Sequence, residues 1–131
     1  MSSFQLVLSE FVPDARLSLN GRRRTHWATI SKLNQAVGFF FLQAVQEYRR
    51  LHGGGLPHFP AARVRIEFVF PQQRRRDPDG LAGRAKPILD LLVAHKVVPD
   101  DDAAHLELEV VPLVEPGTGH ETRIHVEERP G

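Results

Sequence analysis

Cysteine is absent from the 131-residue chain. That excludes a disulfide framework, a thiol nucleophile, and zinc or iron–sulfur held by cysteine. No apolar run approaches the roughly 18 residues a membrane-spanning helix needs, so no membrane contact is expected. The stretch Met1-Ser2-Ser3-Phe4 has no basic segment leading into an apolar one. No export signal is therefore expected, and a cytoplasmic protein fits. Several catalytic signatures are also missing: the G-x-x-x-x-G-K-[ST] phosphate loop, G-x-G-x-x-G after a strand, the G-x-S-x-G elbow and H-E-x-x-H. The 7 histidines are scattered without tight ligand spacing and read as surface side chains.

What is present suits one domain, residues 1–131, with 41% hydrophobic residues to build its core. The net charge of +1 hides an uneven distribution. Residues 1–99 hold 15 Lys/Arg and 7 Asp/Glu, a balance of +8, and residues 100–131 hold 2 and 9, a balance of −7. A basic body with a local acidic cluster suits a polyanion partner together with a cation site. The same charges could equally serve solubility alone.

Hydrophobic periodicity predicts β-α-β-α-β-β, an α+β (mixed α/β) domain with a mixed sheet of about four strands packed by two helices. Residues 4–8 alternate as a strand, and residues 13–26, with Pro13, Asn20, Gly21 and the basic run Arg22-Arg23-Arg24, read as a loop. Residues 28–50 read as a long helix, with Trp27, Ile30, Leu33, Val37, Phe40, Phe41, Ala44, Val45 and Tyr48 at helical spacing and Gly53 ending it. Phe39 and Leu42 fall off that face, which makes them either a wider core contact or a partner surface. Residues 62–70 are the clearest strand, stopped by Pro71. Residues 84–95 read as a helix, in which Pro87 is tolerated if the helix begins near Gly83 and should kink it if the start lies nearer Asp79. Residues 105–111 and 121–128 alternate as strands, and the turn-like Glu115-Pro116-Gly117-Thr118-Gly119 between them predicts a hairpin.

Chemistry concentrates in Gln72-Gln73-Arg74-Arg75-Arg76-Asp77-Pro78-Asp79-Gly80. In an extended chain, Asp77 and Asp79 would face one side about 7 Å apart. Like charges that close repel unless a cation lies between them, and oxygen-only ligands beside phosphate suit Mg²⁺. Arg74, Arg75 and Arg76 would supply charge for a phosphate backbone. Asp-Pro-Asp-Gly equally fits a type I turn. A second acidic cluster, Asp100-Asp101-Asp102, follows Val97-Val98-Pro99. A helix of about twelve residues would hold the clusters roughly 18 Å apart, unless Lys96–Pro99 returns the chain.

Three segments together resemble a known family: Arg-Arg-Arg-Asp-Pro-Asp, then Lys86-Pro87-Ile88-Leu89-Asp90, then Val98-Pro99-Asp100-Asp101. They resemble the RusA family of Holliday junction resolvases, and Asn20-Gly21-Arg22-Arg23-Arg24-Thr25-His26 looks like that family's N-terminal loop. The resemblance implies a bacterial or prophage-encoded, homodimeric, Mg²⁺-dependent endonuclease, with Mn²⁺ able to substitute, that resolves four-way DNA junctions by paired symmetric nicks. It implies catalytic roles for Asp77, Asp79, Asp101 and Lys86, and metal contacts from Asp77, Asp79, Asp101 and Asp100. It implies DNA contacts from Arg22, Arg23, Arg24, Arg74, Arg75, Arg76 and Arg84, with Arg84 also the alternative to Lys86. Gly80 stands where the family usually carries Asn, and the spacing from Asp79 to Lys86 is longer than usual in it. Phe39 and Leu42 are candidates for the dimer surface.

Overall fold

The computed structural model describes residues 2–73 and 78–130, without the side chains of residues 19, 20, 78 and 79. Four strands form one mixed sheet, β1 (Ser3–Ser9), β2 (Ala62–Phe70), β3 (Leu106–Val114) and β4 (Glu121–Glu128), in the order β1-β4-β2-β3. Two long helices, α2 (Trp27–His52) and α3 (Pro78–Ala94), cover one face of it. Between β1 and α2 lie a 3-10 turn, Ala15–Leu17, and a short helix, α1 (Leu19–Arg24). The expected α+β architecture with its four-stranded mixed sheet is therefore present.

The sheet follows from alternation. In β1, Phe4, Leu6 and Leu8 point to the helices; in β4, Thr122, Ile124 and Val126 do; in β2, Val64, Ile66, Phe68 and Phe70 do. These side chains pack on Val37, Phe41, Ala44 and Val45 of α2 and on Ala85, Ile88, Leu89 and Leu92 of α3. The opposite face of the sheet carries cross-strand charges. Arg65 meets Glu109 across β3, and His125 Nε2 lies 2.8 Å from Glu67 Oε1. Such a face needs no covering layer, because its charges satisfy one another and water.

Several boundaries differ from the sequence expectation. The stretch read as a loop over residues 13–26 contains the 3-10 turn and α1. Asp14 accepts from the Arg16 amide at 2.8 Å and Ser18 Oγ from the Gly21 amide at 3.2 Å, so each short element has its own cap. Trp27, placed by periodicity on the buried face of α2, is 76% exposed at the first position of the helix. Gly53 ends α2 with φ 74°, as expected of a left-handed cap.

The second helix starts at Pro78 rather than near Gly83. Proline is favoured at the first helical position, where its missing N–H costs nothing, so Pro78 can open the helix. The backbone at position 79 is helical, while the spacing expected between the Asp77 and Asp79 carboxylates lies outside the described residues. Pro87 consequently lies inside α3, buried, where no amide is available to the carbonyl four residues earlier.

The hairpin expectation also fails. β3 pairs with β2 in parallel, Val64 opposite Leu108, while β4 runs antiparallel between β1 and β2. The Glu115 amide donates to the Phe70 carbonyl at 3.0 Å, so the connection crosses the end of β2 and β4 lands on its other side. Pro112 lies within β3, and proline is tolerated in a strand at a sheet edge, the place β3 occupies.

Gly21 packs against the preceding 3-10 turn: a Cβ there would stand 2.6 Å from Arg16 Cα. Gly38, inside α2, has no atom within 4 Å of such a Cβ. Gly21→Ala is expected to destabilise the fold by about 1–3 kcal/mol. Gly38→Ala should stabilise it by about 0.5–1 kcal/mol, through lower chain entropy in the unfolded state. Urea unfolding of the two variants checks both signs.

Candidate active site

The parallel β2–β3 pair requires a crossover, and α3 provides it. At its C-terminus the chain reverses within a few residues. Lys96 takes φ 61°, the Val97 amide donates to Leu92 O at 2.9 Å, and the Lys96 amide donates to Val93 O at 2.9 Å. That is the bond pattern of a helix ended by a left-handed residue. Val97 and Val98 then bury against the core, and the Phe59 amide holds Val97 O at 2.7 Å. The chain runs back alongside α3, the return expected of Lys96–Pro99.

This return brings the acidic run to the helix. Lys86 Nζ donates to Asp101 and also lies 3.1 Å from Asp90 Oδ1, one turn along α3. Lys86 is exposed on the outer stripe of α3, which Ala82, Asp90 and Ala94 share. The hydrogen bond from Lys86 holds the Asp101 carboxyl below the usual carboxylate range. In turn, the hydrogen bonds to Asp101 and Asp90 raise the Lys86 ammonium. Each partner thus favours the charged form of the other.

The three adjacent acids play different parts. Asp101 faces α3. Asp100 Oδ1 accepts from the Asp101 amide at 2.7 Å. Asp102 Oδ1 accepts from the His105 amide at 3.1 Å and contacts the His105 ring, closing the turn that leads into β3. Asp102 is thus committed to the turn, which leaves Asp101 as the member of the run directed at Lys86.

The basic residues divide as well. Arg22 Nε donates to Leu17 O at 2.8 Å, while Arg23 and Arg24 are exposed at the end of α1, which packs against α3. Arg84 Nε donates to Pro13 O at 2.7 Å, and its guanidinium lies 5.5 Å from the Phe70 ring centre. With Thr122 Oγ1 donating to Phe11 O at 2.8 Å, Arg84 fastens the segment before α1 to the sheet and α3. Arg84 and Arg22 therefore have anchoring roles that composition did not reveal. Arg74, Arg75, Arg76 and Asp77 lie outside the described residues, as does the Asp79 side chain. Among the described residues, no three acidic or histidine side chains converge to hold a metal ion. Asp101 and Asp90 nonetheless share one cation, the Lys86 ammonium, so carboxylate oxygens already gather around positive charge here.

No protein-family model matches the chain, and no curated protein matches it. Among the described residues, no helix is long and apolar enough to cross a membrane.

The Lys86–Asp101 pair is solvated, with the two side chains 52% and 27% exposed, so its contribution is small. Asp101→Asn is expected to change unfolding free energy at neutral pH by no more than about 1 kcal/mol. A carboxyl lowered in the folded state stabilises above its unfolded pKa and loses that contribution as pH falls through the folded value. The gap between wild type and variant should therefore close on acidification. Urea midpoints measured across the acid range test this.

Proposed function

We propose that the chain is a Mg²⁺-dependent, structure-specific endonuclease that cuts four-way DNA junctions by paired symmetric nicks. The observation that carries this reading is the contact between Lys86 on α3 and Asp101 in the returning turn. Two stretches separated in sequence meet there and set a fixed ammonium beside an ionised carboxylate. Asp77, Asp79 and Asp101, with Asp100 adjacent, would hold the metal, whose chemistry is to polarise a phosphate oxygen and stabilise charge on the leaving oxygen.

The chain's own residues supply the rest. The Lys86 ammonium places positive charge where a phosphate gains charge during hydrolysis. Asp101 remains an acceptor at neutral pH and can orient a water molecule. Arg23 and Arg24, with Arg74, Arg75 and Arg76, would bind sugar–phosphate strands without reading bases. Arg22 would contribute through the donors that its bond to Leu17 O leaves over, and Arg84 by holding the segment that carries α1 against α3. Two symmetric cuts match a C2 dimer with one site per protomer. Phe39 and Leu42 on α2, 58% and 48% exposed, support that arrangement as the apolar patch a second copy would cover.

A second reading is a junction-binding module without chemistry. It draws on the internal engagement of the acids: Asp101 and Asp90 are neutralised by Lys86, and Asp102 is occupied with His105. The two readings part on one experiment, a synthetic four-way junction incubated with the protein and Mg²⁺. The nuclease reading expects symmetric nicks. Asp101→Asn and Lys86→Ala should each lower the cleavage rate by at least about 100-fold, with junction affinity held or improved in the aspartate variant. Tight binding by the wild type without cutting would establish the module instead.

A further inference from the structure

The turn that carries Asp101 has no apolar anchor of its own. Residues 99–105 are all exposed or half-buried, between buried Val98 and buried Leu106. Three adjacent carboxylates within it repel one another, which opposes a tight turn. Polar bonds must therefore set its shape. Asp102 and His105 close it locally, and the Ala62 amide donates to His105 O at 2.9 Å, where β3 begins.

Arg129 reaches the same turn from the far end of the fold. Its backbone is held just beyond β4, where its amide donates to Ala61 O at 3.0 Å. From there Nη2 donates to Ala104 O at 2.7 Å and to Ala103 O at 3.3 Å, and Nη1 lies 3.9 Å from Glu107 Oε2. The side chain is 21% exposed, less than the charged side chains around it on β2 and β3. Its two strongest contacts are to main-chain carbonyls. They therefore hold the backbone that follows the acids, and do not merely balance charge.

We propose that Arg129 is a positioning residue: it clamps the Ala103–Ala104 backbone to the end of β4 and so holds Asp101 against Lys86. This rests on the reading of Asp101 as a group that acts on phosphate. Arg129 touches neither Lys86 nor Asp101 and acts through the turn. A guanidinium suits this role, because its rigid plane lets Nη2 serve both carbonyls while Nη1 faces Glu107, a spread that a single ammonium nitrogen does not cover. An error of about 1 Å at a reacting group is enough to cost around a hundredfold in rate.

The test uses the full chain. In Arg129→Ala, amide hydrogen exchange at Asp101 and His105 should accelerate at least about tenfold, while the β2 amides of Val64 and Ile66 keep their wild-type protection. On a four-way junction with Mg²⁺, kcat should fall at least about tenfold with junction Kd unchanged. Arg63→Ala, which removes a neighbouring partner of Glu107 and leaves the turn intact, should show neither effect. Should Arg129→Ala fail to fold, Arg129→Lys keeps the charge, loses the rigid two-nitrogen head that spans the carbonyls and Glu107, and is expected to show the same local exchange. Wild-type exchange at Asp101 in a folded variant overturns the proposal, as does acceleration spread evenly over the sheet. If the wild type cuts no junction, the nuclease reading falls and with it the catalytic purpose of the clamp. The exchange measurement then still decides whether Arg129 holds the turn.

Discussion

Parallel pairing of β2 with β3 is the constraint from which the candidate site follows. Two parallel neighbours cannot be joined by a tight turn, so the chain must travel the length of the sheet and come back. The travelling segment is α3, whose apolar stripe of Ala85, Ile88, Leu89 and Leu92 buries on the sheet and leaves Lys86 and Asp90 outside. The return begins at Lys96 and passes through buried Val97 and Val98. Asp101 is then set beside the helix that precedes it in the chain. Its position relative to Lys86 is held by core packing on one side and by the start of β3 on the other.

The basic end of the molecule is attached to the same helix. Arg84 holds Pro13 O from α3, Thr122 holds Phe11 O from β4, and the 3-10 turn and α1 follow immediately. Close approach of the Gly21 and Arg16 backbones lets α1 lie tight against that turn. Exposed Arg23 and Arg24 are therefore carried on a short element tied to α3. The stability of these parts comes from buried Phe41, Phe68, Ile66, Ile88 and Leu92. The charged groups at the surface contribute little to it, so they are available for substitution without loss of the fold.

Much of the secondary structure was legible because it rests on local periodicity. The strands over 62–70 and 121–128 occur with the expected limits, and the first long helix differs by one or two residues at each end. The pairing of strands was not legible in the same way. Glu115–Gly119 has the composition of a hairpin turn, yet the chain there crosses β2. Pro112 carried the missing signal, since a strand with an internal proline belongs at an edge. Pro78 carried another, because proline is at home in the first turn of a helix and Asp-Pro-Asp-Gly therefore suits a helix start as well as an isolated turn. Which of Asp100, Asp101 and Asp102 faces α3 depends on hydrogen bonds to His105 and Lys86, and no spacing rule encodes that choice.

By itself the sequence determined the fold class, the alternating faces of the strands, the buried stripe of each long helix, and the two charged segments in which chemistry could lie. Those properties depend on residues a few positions apart, where backbone geometry dictates which side chains share a face. Tertiary structure alone decided the strand order, the anchoring duties of Arg22 and Arg84, the meeting of Lys86 with Asp101, and the reach of Arg129 to the acidic turn. Each of these joins groups whose separation is set by how the layers pack, and a one-dimensional pattern holds no measure of that distance.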